Sequence, residues 1–143
     1  MLIGEYKHTI DSKKRLAIPA KFRQTLGEQA VITKGLENCL VIYTLKEWER
    51  RAKELEELPS SQADARNFAR LSLAGASEAE LDKLGRILIP DYLKNYALLK
   101  KNVAVLGLSN KIEIWDEDKW EEHKKKTETE AGDIAERLKE LGI

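Results

Sequence analysis

Apolar and polar positions alternate weakly over residues 2–10. Leu2, Gly4, Tyr6, His8 and Ile10 fall on one side and Glu5, Lys7 and Thr9 on the other, which predicts a half-buried strand. A polar turn, Asp11 to Lys14, then enters the short apolar run Leu16-Ala17-Ile18, which Pro19 ends. Proline brings no N–H to a strand ladder and holds a φ suited to a first helical turn, so a helix is predicted from that point. Phe22 and Leu26 share one face of it and Gly27 is its stop. Strands follow at 30–34 and 39–43, joined by Gly35-Leu36-Glu37-Asn38, whose glycine and asparagine suit positive φ. Thr44-Leu45-Lys46-Glu47 reads as a capping box, so a helix should start at Leu45 with Leu45, Trp48, Ala52 and Leu55 as its stripe, ending at Pro59. A second helix is predicted from about Gln62 to Ala74, with Ala65, Phe68, Ala69 and Leu71 inward and Gly75 closing it. After a strand at 76–81 the pattern starts again. It finishes in a long helix capped by Asp116, with Trp120, Ala131, Ile134, Leu138 and Leu141 as apolar positions. The polar stretch 123–130 should leave part of that helix solvated or frayed.

The recurrence is close enough to be a duplication. Residues 10–23 return at 81–94: Asp11 matches Asp82, Arg15 matches Arg86, Leu16 matches Ile87, and Ile18-Pro19 matches Ile89-Pro90. Further on, Gly35-Leu36 and Asn38 match Gly107-Leu108 and Asn110, and Trp48-Glu49 matches Trp120-Glu121. Two pseudo-symmetric copies are expected, at residues 1–58 and 76–143, with 59–75 as a connecting helix. Copies this small bury too little surface to be stable alone, so pairing within or between chains is expected. The helices between the copies read as a hairpin joining them or as an interface between subunits.

Charge changes this picture only through its distribution. The chain of 143 residues carries 25 cationic and 25 acidic side chains, a formal charge of zero that argues weakly against a nucleic-acid partner. Yet residues 1–25 hold six cations against Glu5 and Asp11, and residues 115–143 hold six cations against ten acids. Such asymmetry marks local electrostatic function, although segregated solvated faces would produce it too. No apolar run approaches the ~20 residues of a membrane span, and no signal-peptide pattern opens the chain, so a cytoplasmic protein is expected. Cys39, the only cysteine, sits in an apolar stretch and reads as an inert buried thiol.

Signatures of catalysis are few. His8 and His123 belong to no metal-ligand spacing, and no nucleophile elbow, P-loop or dinucleotide glycine pattern occurs, so no enzyme activity, metal or cofactor is expected. Asp11 and Asp82 could form a symmetric acid pair. Each precedes an arginine by four residues, however, and an ion pair or an aspartate accepting turn N–H groups explains them more economically. The first turn, Asp11-Ser12-Lys13-Lys14-Arg15, offers three consecutive cations and a hydroxyl to phosphate oxygens, and an arginine fork can read guanine in the major groove. The competing reading makes Arg15 an internal partner of Asp11 and leaves the lysines merely solvated. Gly85 stands where the first copy has Lys14, so this turn position should take positive φ. With more charge in one place, the first loop is expected to dominate any DNA contact.

Together these residues resemble the MraZ family of bacterial transcriptional regulators, whose hallmark is a duplicated Asp-x-x-Gly-Arg motif. Asp82-Lys83-Leu84-Gly85-Arg86 fits it fully, and Asp11-Ser12-Lys13-Lys14-Arg15 fits except at Lys14. Leu2-Ile3-Gly4-Glu5-Tyr6, Ala74-Gly75-Ala76-Ser77-Glu78 and Asn110-Lys111-Ile112-Glu113-Ile114-Trp115 also look like that family. The resemblance implies an α+β fold, an internally duplicated swapped-hairpin β-barrel of the AbrB/SpoVT-like kind with flanking helices. It implies ring-shaped homo-oligomers in the cytoplasm, associated with the nucleoid. They would bind double-stranded DNA at direct repeats in their own promoter, with repression of the division and cell-wall gene cluster as the expected outcome. Carried over by position, DNA binding falls on Lys13, Lys14, Arg15, Lys83 and Arg86, with Asp11, Asp82 and Gly85 shaping the turns. The alternative is a ring-forming scaffold whose basic loop binds a protein partner.

Overall fold

In the computed structural model, which describes residues 1–143, the predicted elements form in the predicted order. The first copy supplies β1 (Leu2–Thr9), β2 (Arg15–Ala17), α1 (Ala20–Leu26), β3 (Gln29–Lys34), β4 (Leu40–Thr44) and α2 (Leu45–Glu56). A connection follows, α3 (Ala63–Ala69) running into a π-helical turn at Arg70–Ala74. The second copy repeats the series as β5 (Ser77–Glu80), β6 (Arg86–Leu88), α4 (Asp91–Tyr96), β7 (Asn102–Ser109), β8 (Lys111–Asp116) and α5 (Glu117–Thr129). The chain ends in α6 (Ala131–Arg137) and a 3-10 turn, Leu138–Leu141.

The copies exchange strands. One antiparallel sheet has the order β1-β7-β8-β4-β3-β5, and β2 pairs with β6 in a separate two-stranded ribbon. The opening strand of each copy therefore lies against the third strand of the other, Tyr6 opposite Val105 and Ala30 opposite Ala79. At the centre β4 meets β8, with Leu40 opposite Ile114 and Ile42 opposite Ile112, an approximate two-fold relation between the copies. Gly107 serves the exchange directly: a Cβ there would come within 2.6 Å of the Ile3 backbone nitrogen, so β1 can close on β7 only past a glycine.

Alternation along the strands divides the core. Ile42, Val105 and Ile114 face one side, within a cluster that also holds Leu16, Ile18 and Phe22 of the first copy and Ile87, Ile89 and Leu93 of the second. Val41, Ala104, Leu106 and Trp115 face the other side, with Cys39 and the partly buried Trp120. Both copies feed both clusters, so neither has a complete core of its own. Each fully buried Leu or Ile contributes about 1.5–3 kcal/mol relative to exposure, and the larger cluster draws its residues from both copies, Leu2 to Ile114.

Side-chain caps form at Thr44 and Asp116, but the capping box is one-sided, the Glu47 carboxylate pairing with Arg50 instead of returning to the Thr44 N–H. Thr44 Oγ1 accepts the Glu47 N–H at 3.1 Å, and buried Asp116 accepts the Lys119 N–H at 3.4 Å and the Lys100 N–H at 3.2 Å. Three local expectations need correction. In the turn after β3 the positive-φ residues are Glu37 and Asn38, not Gly35. The connecting helix widens into the π turn at Arg70, and its one buried residue is Ser72, whose carbonyl accepts from Thr33 Oγ1 at 2.6 Å. The final helix is not continuous: Glu130 leaves helical geometry at φ −97° and ψ 5°, and nothing in α6 or the last turn is buried. Ala131, Ile134, Leu138 and Leu141 have no core to join, because only the first turns of α5 reach the sheet, through Trp120 at 5.3 Å from Trp115.

Candidate nucleic-acid interface

The β2–β6 ribbon is three residues long on each side, centred on Leu16 opposite Ile87. Those two side chains are buried, so strand alternation turns Arg15 and Ala17, and Arg86 and Leu88, outward. Arg15 lies opposite Leu88 and Arg86 opposite Ala17, which puts one guanidinium at each end of the outer face.

The turns feeding the ribbon match in detail. Asp11 Oδ1 accepts the N–H groups of Lys13 (2.8 Å) and Arg15 (2.9 Å), and its Oδ2 accepts Arg15 Nε at 3.1 Å. Asp82 Oδ1 accepts from Leu84 and Arg86, both at 2.9 Å, and its Oδ2 accepts Arg86 Nε at 2.8 Å. Both carboxyls are held below the usual aspartate range, chiefly by the N–H of the following arginine. Each is committed to its own turn, as the ion-pair reading of the two motifs expects. The turns are also tied across the copies: Ile18 donates to the Gly85 carbonyl and Ile89 to the Lys14 carbonyl, each at 2.9 Å.

Holding an arginine by Nε orients it without covering it. The terminal nitrogens of Arg15 and Arg86 have no protein partner, and the two side chains remain 31% and 27% exposed. Such a guanidinium is fixed in direction and can still present its fork to a carboxylate, a phosphate or a base edge.

Lys14 takes φ +64° where Gly85 takes +74°, so the first turn has the glycine shape without the glycine. Its charge is less available than three consecutive cations suggest, since Lys14 Nζ contacts Asp91 Oδ2 at 2.7 Å. At Gly85 the neighbour is Arg23. A Cβ on Gly85 would overlap its Nε and lie 2.5 Å from its Cδ and Cζ. The first loop thus gathers three cations (Lys13, Lys14, Arg15) against two carboxylates. The second gathers Lys83, Arg86 and Arg23 against Asp82, with Glu28 and Glu80 lining the same cleft. This balance gives no reason for the first loop to dominate.

Asp91 and Arg23 were not singled out from the sequence. Their signal lay where the copies differ: Asp91 replaces Ala20 of the first copy, and Lys94 of the second replaces Arg23. The other chemically suggestive residues are occupied elsewhere. His8 Nδ1 contacts the Ala17 carbonyl at 2.6 Å, and His123 packs on Trp115 and faces Glu37 at 3.4 Å. Burial, then Glu113 and Glu37, push the Cys39 thiol up to about 12, which leaves it an unreactive thiol at neutral pH.

Comparison with known proteins agrees with this duplicated architecture. The family described as "MraZ protein, putative antitoxin-like" matches twice, at residues 1–71 and 72–141. A protein of Caldanaerobacter subterraneus subsp. tengcongensis named Transcriptional regulator MraZ is 51% identical over 143 residues, the whole of both chains. Like-named proteins of Thermoanaerobacter sp. and Caldicellulosiruptor saccharolyticus are 50% and 49% identical, again over the whole of each chain. With both copies matched and half the residues shared end to end, the chain belongs to the MraZ family.

Proposed function

We propose that this chain is a cytoplasmic transcriptional regulator that binds double-stranded DNA through its two Asp-x-x-x-Arg turns. The observation that carries the reading is the outer face of the β2–β6 ribbon, where two matched turns aim Arg15 and Arg86 outward with their terminal nitrogens free. A short two-stranded ribbon is a shape the major groove admits, and an arginine fork makes a paired contact to guanine. Lys13 and Lys83 are exposed and unpaired, suited to phosphates on either side, and Lys14 can leave its exposed pair with Asp91 for DNA at little cost. Relatives named as transcriptional regulators support the same reading.

The finer reading is that residues 1–58 and 76–143, linked by 59–75, form a swapped-hairpin barrel of the AbrB/SpoVT-like kind. Copies of the chain assemble into a ring that engages direct repeats in its own promoter at the nucleoid and represses the division and cell-wall gene cluster. One ribbon with a few cations binds duplex weakly at physiological salt. Several ribbons held in phase gain through effective concentration, on the order of 10²-fold or more. Because the copies complete each other's core within one chain, support for a partner comes from unused surface. Edge strands β1 and β5 are unpaired outward, and an apolar hollow of about 350 Å³ lies beside β5, lined by Leu45, Trp48 and Leu73. A gel shift with duplex from immediately upstream of the chain's own coding sequence tests the function against shuffled duplex of equal length. Retention of the upstream duplex well below the concentration that shifts the shuffled one is expected. Equal affinity for both would reject sequence-specific regulation and leave the basic loops to a protein partner.

A further inference from the structure

Gly85 and Arg23 fit together in a way that neither the duplicated motif nor the family match accounts for. Arg23, on α1 of the first copy, donates Nε to the Ile18 carbonyl at 2.8 Å, which fixes the guanidinium over the second copy's turn. The space it occupies is the space a side chain on residue 85 would need. No carboxylate lies within 4 Å of it, and its terminal nitrogens have no protein partner. The cleft it borders also holds Lys83, Asp82, Glu28 and Glu80, and Asp82 is already engaged by Arg86. A half-buried arginine that is oriented by its Nε and left open at its tip repeats the arrangement of Arg15 and Arg86.

We infer that Arg23 is a third DNA contact of the second loop, binding a backbone phosphate beside Lys83 and Arg86. The inference rests on the DNA-binding reading above. On this account the two loops deliver equal numbers of cations by different routes. The first carries Lys14 within its own turn, and the second uses glycine there so that an arginine from the other copy can enter. A phosphate contact adds affinity without adding sequence preference, and it releases counterions, so its removal shows in the salt dependence.

The test uses the full chain with Arg23→Gln and Arg23→Lys, assayed on the upstream duplex and on shuffled duplex over a salt series, with light scattering for assembly. Arg23→Gln is expected to weaken both duplexes to a similar extent. The decrease should be roughly eightfold at 0.1 M salt, with the slope of log K against log salt reduced by about 0.9, the change expected for one phosphate. Arg23→Lys keeps the charge but loses the Nε bond to Ile18, and it should retain most of the slope. Wild-type affinity and slope in Arg23→Gln would overturn the inference while leaving DNA binding intact. If Arg23→Gln fails to fold, Arg23→Met takes its place: a slope reduced by about 0.9 in the folded methionine variant supports the inference, and parental affinity and slope overturn it. Failure of the parent chain itself to prefer its upstream duplex would instead reject the reading on which the inference stands.

Discussion

Lys14 occupies a left-handed conformation that its counterpart Gly85 holds without strain. For a residue with a Cβ this costs about 1–2 kcal/mol. Lys14→Gly removes that cost, but glycine frees the unfolded chain by about 0.4–1 kcal/mol and the exposed Lys14–Asp91 pair, worth ~0–1 kcal/mol, disappears. These effects nearly cancel, so denaturant unfolding should place the variant within about 1 kcal/mol of the parent. DNA affinity should fall with a flatter salt dependence. A destabilisation well above that range would show that the Lys14–Asp91 pair holds the ribbon together. The turn itself was legible in the sequence because Asp11 and Arg15 act within five residues. Asp91 and Arg23 were not, because each reaches its turn from the opposite copy across more than sixty residues, and local spacing carries no trace of so distant a pairing.

Elements defined by local chemistry follow the same division. Thr44 and Glu47 announce the start of α2, Pro19 and Pro90 the starts of α1 and α4, and Asp116 that of α5. Thr44→Ala should cost ~1 kcal/mol, within 0.5–2, by leaving the Glu47 N–H without its cap, and should lower the thermal midpoint by a few degrees. DNA binding should not change, since α2 rests on β3 and β4 and none of its side-chain hydrogen bonds or ion pairs reaches either loop. Failure of a folded Thr44→Ala protein to bind its operator would mean that α2 takes part in the interface. Which strands pair was not written in the alternation of residues. Period two fixes the face a residue takes, not the neighbour its strand finds, so the pairing of β1 with β7 and β5 with β3 could not be read from it. The polar run 123–130 did foretell a largely exposed stretch of the final helix, but that stretch stays helical to Thr129, and the break at Glu130 was not foreseen.

For the whole molecule, duplication supplies two matched turns and strand exchange locks them to one ribbon over a shared core. More than one chain is expected in solution: light scattering at micromolar concentration should give a mass several times the 16.3 kDa of one chain, and a stable single-chain species would contradict this. Because Ile18 donates to the second turn and Ile89 to the first, the arginine ends should act as a unit, and removing both should do more than either alone. The most direct test is the affinity for upstream duplex of the Arg15→Ala/Arg86→Ala double variant beside each single variant and the parent, at fixed salt and with the mass checked by light scattering. The predicted result is unchanged mass, single variants weakened by about 1–3 kcal/mol for each guanine that its arginine no longer reads, and a double variant that binds upstream and shuffled duplex alike. A correctly assembled double variant that still selects its upstream duplex as the parent does would contradict DNA recognition by the ribbon.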